Sequence, residues 1–347
     1  SKGKIADHTE VDFRPRAGSA CIDAGSTYFV PFALYGTVGE WNFTENRANP
    51  ELAMDYSWYM GEEHIHRRWY DLVPSNDLIL NNAGLEDFRP SPRETWANGS
   101  LRFDGRRFGR VADADMRKDI VIPGGEIRIP KKYKSPFYLS ENWDYTYPDD
   151  TGKDAVFPGE LRKTLVIRTE NLLVEAYVKV DEGHENGVLL AKHDGESGYR
   201  LRIDEEGRAE FQISSNGATG SVATAEAIDD GTWHHVIAEV DRETGQMRTY
   251  LDGKPSSTAE AGLPQEASLE NRADFVVGRS SHRDADYFVG ELDFMRVCQG
   301  TLDDAKTDID EVYTWQTDGP WRYDYFGRPV QGKARDAGAV EFTESGQ

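Results

Sequence analysis

Cysteine is nearly absent from this chain: its 347 residues contain two, Cys21 and Cys298. Two thiols make no disulfide framework. Both sit in apolar contexts (Ala-Cys-Ile and Val-Cys-Gln), which predicts buried thiols over a bridge. Long apolar runs are missing too, and none reaches the roughly 18 residues of a membrane-spanning helix. No leader peptide is legible at the start; the expectation is that one was removed or that the sequence is a piece of a longer chain. Positive charge is short, with 40 Lys and Arg against 62 Asp and Glu, a formal net charge of −22. Such a field disfavours nucleic acid, which needs a basic surface. It also disfavours polyanionic polysaccharides at long range, although a local basic patch overrides it at physiological screening. Acidity otherwise serves solubility. No Ser-His-Asp order, Gly-x-Ser-x-Gly elbow, phosphate loop or dinucleotide fingerprint is present.

Aromatic residues are plentiful, with 8 Trp and 16 Tyr, and 38% of residues are hydrophobic. That argues for an ordered globular protein of one large or two modest domains. The most telling stretch is 230–253, DGTWHHVIAEVDRETGQMRTYLDG. Trp233 to Val240 alternates, Met247 to Leu251 alternates again, and turns at Gly245 and Asp252-Gly253 bound them. Period two between Gly and Asp predicts a hairpin with one buried face. Further strand candidates are Ser100–Phe103, Thr164–Arg168, Leu172–Val180, Val188–Lys192, Tyr199–Ile203, Ala209–Ile213, Ser221–Ala227, Asp274–Gly278 and Phe288–Val297. Many short strands about ten residues apart predict a sandwich or barrel. Helical periodicity is scarce. The best case is Leu302 to Trp315, with Ile309, Val312 and Tyr313 on one stripe behind Thr301 as N-cap. Residues 118–163, rich in Pro, Tyr and Lys, break the rhythm as a long excursion.

Three phrases in order carry a resemblance: Asn98-Gly-Ser-Leu-Arg-Phe-Asp-Gly105, the central Trp-His-His…Tyr-Leu-Asp-Gly hairpin, and Gly290-Glu-Leu-Asp-Phe-Met-Arg-Val297. Together they resemble the laminin-G-like, concanavalin A-like lectin/glucanase sandwich. The implied fold is mainly β, a jelly-roll β-sandwich over 77–300 with 118–163 inserted. The flanks carry a second resemblance. Asp12-Phe-Arg-Pro-Arg-Ala-Gly-Ser-Ala-Cys-Ile-Asp-Ala-Gly25, Asp324-Tyr-Phe-Gly-Arg-Pro and Arg335-Asp-Ala-Gly-Ala-Val-Glu-Phe342 look like the closing coil of bacterial right-handed parallel β-helix proteins. The implied organisation is an N-terminal flank 1–76, the sandwich 77–300, and a C-terminal part 301–347 with a short helix. The two flanks then pack together, with Ile22 near Val340, since an insert is tolerated where its ends lie close.

The glycoside hydrolases of the resembled superfamily use Glu-x-Asp-x-Glu or Glu-x-Asp-x-x-Glu, a carboxylate pair suited to retaining hydrolysis. Glu291-Leu-Asp293 begins that pattern, but Met295 and Arg296 occupy the places of the second Glu, so this chemistry is rejected. The resemblance gives Asp293 another reading, as a ligand of a structural calcium with Asp104 beside it, because the hard ion needs several oxygens. The alternative is an Asp salt-bridged to Arg296 or another arginine. His64-Ile-His66 could start a zinc site, with packing in an aromatic segment as the plainer reading. Sugar binding needs flat aromatic faces and a few fixed polar groups. Trp143, Tyr145 and Tyr147 would line one face of an extended excursion; the alternative is that they glue the excursion down. The resemblance therefore implies a non-catalytic carbohydrate-binding or adhesion module of a secreted or cell-surface bacterial polysaccharide-processing protein. A β-helix domain upstream in the same parent would be its partner. The alternatives are part of a polysaccharide lyase or glycoside hydrolase whose catalytic β-helix lies upstream, or a structural cap and spacer.

Overall fold

The computed structural model describes residues 37–43, 50–53, 55, 76–93, 99–116, 164–304 and 308–317, and the backbone of six short strands between 121 and 162. The phrases at 12–25 and 324–342, Cys21, and the His64/His66 pair lie outside the described residues.

Alternation along the strands does what the pattern requires. In β16 (Ala209–Ser215), Ala209, Phe211 and Ile213 are fully buried while Glu210 and Gln212 face outward. A one-residue slip would invert every such choice, so burial fixes the register. Two antiparallel sheets result, packed as a sandwich. The first runs β20 (Lys254–Glu260), β19 (Gln246–Leu251), β18 (Trp233–Asp241), β13 (Leu172–Val180), β22 (Val289–Gln299), β5 (Gly99–Asp104) and β4 (Phe88–Pro90). The far edge of β22 is shared. Its first half pairs with β5, and its second half pairs with β1 (Thr37–Asn42). The second sheet runs β17 (Ala218–Ala223), β16, β15 (Gly198–Ile203), β14 (Val188–His193), β21 (Phe275–Val277), β6 (Phe108–Val111), β3 (Leu78–Asn81) and β2 (Leu52–Ala53). Between them lies one hydrophobic core that includes Trp41, Phe103, Leu172, Val174, Phe211, Phe275, Met295 and Val297. Trp41 stacks on Phe275 across the sandwich, ring centroids 5.1 Å apart.

The central hairpin forms as its wording predicts. Residues β18 and β19 pair from Val236↔Leu251 to Asp241↔Gln246. Asp252 and Gly253 both take positive φ, 48° and 77°, the left-handed pair that closes the turn to β20. Several expectations are corrected. Thr164–Arg168 is a buried, bent crossing segment and not a strand; its apolar residues Leu165, Val166 and Ile167 are consecutive rather than alternating. β20 had no apolar pattern to betray it, and its Lys254 and Pro255 suit an edge strand. Helix starts late: residues 302–304 form a turn, and the helix α2 (Ile309–Thr317) follows. (α1, Asp113–Met116, is a single turn.) Thr301 does cap, since Asp304 N–H donates to Thr301 Oγ1 at 3.2 Å and Thr301 N–H donates to Asp304 Oδ2 at 2.9 Å, but the chain turns instead of continuing. The sheets also reach outside 77–300, since β1 and β2 belong to the N-terminal flank and join them.

The excursion has its own order. Its backbone pairs as β7 (Val121–Ile122) with β12 (Leu161–Arg162), β8 (Gly125–Ile127) with β11 (Ala155–Phe157), and β9 (Tyr133–Lys134) with β10 (Asp144–Tyr145). The three antiparallel pairs are nested in sequence.

Candidate functional site

The first sheet's outward face carries most of the charged residues that the last strand contributes. It is sealed. Glu40 on β1, Glu175 on β13, His235 on β18 and Arg296 on β22 are each at most 3% exposed. Arg296 Nε lies 3.1 Å from Glu40 Oε2 and its Nη1 3.5 Å from Glu175 Oε2, and His235 Nε2 meets Glu175 Oε1 at 2.8 Å. Burial pushes the Glu40 carboxyl up to about 7 despite Arg296. Burial would raise Glu175 too, but Arg296 and the His235 hydrogen bond bring it below the usual range. α2 closes this face: Val312 packs with Leu173, Ile237, Cys298 and Leu302, and the Tyr313 ring lies 5.6 Å from that of His235. Cys298 is a buried free thiol beside Thr37, pushed up to about 12 by burial.

Asp293 sits where β22 changes partners, opposite a bulge between Tyr177 and Val178 of β13. Its carboxylate is fully buried, paired with Arg93 and accepting from Ser91 Oγ. Arg93 also donates to Gln316 Oε1 at 2.6 Å and to Asn42 Oδ1 at 3.0 Å, tying three chain segments together. The arginine that Asp293 meets is thus Arg93, while Arg296 serves Glu40 and Glu175. Asp104 is elsewhere. It pairs with Val289, four residues before Asp293, or about 13 Å along a strand. Its Oδ1 accepts the backbone N–H of Arg106 at 3.0 Å and of Arg107 at 3.1 Å. The two carboxylates expected to share a calcium are not brought together. Among the described residues no group of three or more His, Cys, Asp or Glu could hold a metal ion. A carboxylate already neutralised by a guanidinium does not fit a calcium site, which needs several anionic or carbonyl oxygens.

Glu291, the other half of the incomplete hydrolase pattern, accepts from Ser100 Oγ at 2.9 Å and lies 3.4 Å from Lys179 Nζ. Neither carboxylate is poised for acid–base work on a bound chain. Of the three aromatic residues proposed to stack sugars, Trp143 and Tyr147 lie outside the described residues. Tyr145 is placed by its backbone only, opposite Tyr133. A half-buried aromatic pair that the alternation did not mark as a site is Tyr177 and Trp233, stacked with centroids 5.2 Å apart on the first sheet's outward face.

The second sheet's outward face is half-buried at Arg200, Arg202 and Gln212 and buried at Ala191 and Val276. Register sets Ile79, Arg110, Val276, Ala191, Arg200, Gln212 and Ser221 in one cross-strand row. Most of its arginines have carboxylates. Arg110 pairs with Asp274 at 2.8 Å, Arg202 with Glu210 at 2.6 Å, and Arg283 with Asp286 at 2.6 Å. Arg279 lies over the Phe108 ring, 4.1 Å from its centroid. His193, at the end of β14, is 5% exposed and its ring is 5.7 Å from that of His282. Only the alternation of Arg200-Leu-Arg202 and Glu210-Phe-Gln212 signalled this face in the sequence. Which charges find partners depends on pairing between strands.

With the geometry in place, residues 151–306 match the family described as the Concanavalin A-like lectin/glucanases superfamily. The chain thus carries a domain of that superfamily, and strands β1 to β6 extend its two sheets beyond the matched stretch. No curated protein matches the chain. Among solved structures, the chain is similar to the CBM40 of the Ruminococcus gnavus IT-sialidase bound to α2,3 sialyllactose. Identity is 17%, TM-score 0.35, covering 44% of this chain and 84% of that one. It is similar to a SAP-like pentraxin of Limulus polyphemus at 17% identity and TM-score 0.34, covering 45% and 75%. The binding domain of botulinum neurotoxin serotype D gives 12% identity and TM-score 0.45, covering 86% and 56%. No helix among the described residues is long and apolar enough to cross a membrane.

Proposed function

We propose that the chain is a non-catalytic carbohydrate-binding module of a secreted or cell-surface bacterial protein that processes or adheres to polysaccharide. The observation that carries this reading is the lectin/glucanase-type domain at 151–306 whose last-strand carboxylates are occupied: Asp293 by Arg93 and Ser91, Glu291 by Lys179 and Ser100. The buried Glu40–Arg296–Glu175–His235 cluster supports it, because carboxylates at 0–3% exposure cannot reach a glycosidic bond. Stacking is assigned to Trp143, Tyr145 and Tyr147 of the excursion, whose flat faces suit sugar rings. The test is a glycan array alongside an assay for new reducing ends and unsaturated uronates. Binding without turnover is expected, and Trp143→Ala should weaken it roughly tenfold or more. Turnover by the purified chain would overturn the reading. Calcium is examined on the same sample: an unchanged melting midpoint with chelator is expected, whereas a fall would return an ion to Asp293.

A further inference from the structure

The second sheet's outward face contains a cation that its neighbours leave over. Arg200 projects from β15 between Ala191 of β14 and Gln212 of β16. Its Nε donates to Gln212 Oε1. Among the described residues no carboxylate lies within salt-bridge distance of its guanidinium, although Arg202 and Arg283 beside it each have one. Burial and the charge of Arg202 both disfavour its charged form, with Glu210 and Asp286 acting the other way and Arg283 adding to the repulsion. Holding a partly desolvated charge without an ion partner costs free energy, and a bound anion removes that cost.

A second orphan stands beside it. His193 pairs with Gly198, two residues from Arg200 on the same strand, so His193 and Arg200 are diagonal neighbours on one face. His193 Nδ1 accepts the backbone N–H of Gly195 at 2.9 Å. Burial and Arg200 together push its pKa down to about 4, so the ring is neutral at pH 7 and its proton sits on Nε2. That Nε2 is buried and has no hydrogen-bond acceptor. The ring of His282, on the 280–286 loop, lies 5.7 Å from that of His193 and is itself disfavoured as a cation by burial, Arg283 and Arg200.

We infer that Arg200, flanked by Gln212 and the His193–His282 pair, is a binding site for the carboxylate of an acidic sugar. The inference rests on the carbohydrate-binding reading and names the class of glycan. A planar guanidinium matches a carboxylate through two parallel hydrogen bonds, a geometry that lysine cannot reproduce. Arg110, Arg202 and Arg283 are matched by Asp274, Glu210 and Asp286, and Arg279 is held over the Phe108 ring with its Nη1 donating to the Ser280 and Arg283 carbonyls. Among the described residues Arg200 is left with neither a carboxylate nor a ring, and it selects one carboxylate at a fixed place rather than a polyanion by its field. That is compatible with a chain of net charge −22, because the long-range repulsion is screened beyond about 8 Å at physiological salt.

Calorimetric titration of the whole chain with two acidic probes, each against its neutral counterpart, tests this. The pairs are tri-galacturonic acid with its carboxyl-reduced trimer, and 3′-sialyllactose with lactose. The expected result is that one acidic probe binds at least tenfold more tightly than its counterpart; which one identifies the source of the carboxylate. Arg200→Gln should abolish most of that preference, a loss of roughly ten- to a hundredfold for a charge-assisted contact. Arg200→Lys, which keeps the charge and guards against misfolding of the first variant, should lose several-fold. Arg208→Gln, at the turn before β16, four residues from Gln212 and paired with Asp204, should leave it unchanged. Equal binding of acidic and neutral sugars, or an acid preference that survives Arg200→Gln, would overturn the site and leave the module reading standing. Failure to bind any glycan would overturn both.

Discussion

The two outward faces of this sandwich handle charge in opposite ways. On the first sheet, Glu40, Glu175, His235, Arg296, Arg93 and Asp293 are buried under β1, α2 and the 91–93 segment, and each charge has a partner. On the second, cross-strand pairs such as Arg202–Glu210 stay partly exposed, at 27% and 16% of their side-chain surface, and Arg200 is left without a carboxylate among the described residues. A sealed network fixes how the flanking segments dock. A half-buried one with a surplus donor is where we place an anionic ligand. The same residue types thus serve opposite ends, and water access decides which.

The sharpest way to break the comparison is to remove one member of the sealed network. Glu175→Ala strands His235 in the interior, leaves Arg296 with Glu40 alone, and should cost about 3–5 kcal/mol in urea unfolding. A loss under ~1 kcal/mol would show that water reaches this face. The next effect is a pH dependence. Glu40 is pushed up to about 7 when folded, from 4.5, so between those values the folded state holds a proton that the unfolded state has released. Its contribution is fully present below pH 4.5 and is lost as pH rises through 7, on the order of 3 kcal/mol in all. His193, pushed down to about 4, works in the other sense, its contribution being lost as pH falls from about 6.5 to 4. The difference between wild type and Glu40→Gln isolates the first term: the variant's stability should lack that fall. Parallel curves for the two proteins would place Glu40 in water. The smallest effect belongs to the second face. Glu210→Gln, which removes the partner of Arg202, should change stability by less than about 1 kcal/mol and should fade further in high salt.

Much of the fold was legible because a sheet with one buried face writes its register into the sequence. Leu172–Val180, Trp233–Asp241 and the central hairpin stand where alternation put them. Other elements had no such signature. β20 is an edge strand of small and polar residues, and β1 is buried at every position, so neither alternates. In Thr164–Arg168 the three apolar residues Leu165, Val166 and Ile167 are consecutive and all buried, which a bent segment outside the sheets allows. The candidate sites were harder. Glu291-Leu-Asp293 is broken as a hydrolase pattern by Met295 and Arg296, a matter of residue identity alone. Asp104 was set beside Asp293 because both lie near phrases of the same resemblance, and the β5–β22 register separates them. Nothing in the wording singled out Arg93, which reaches Asp293 from 200 positions earlier in the chain, or Arg200 among its neighbouring arginines.

By itself the sequence determined the class of fold, the central hairpin and the residues at 295 and 296 that break the Glu-x-Asp pattern, because period and residue identity are local quantities. Tertiary structure alone decided which charges are matched, which are sealed and which is left over. The electrostatic state of a side chain depends on neighbours brought in from distant strands and on how much water remains around it.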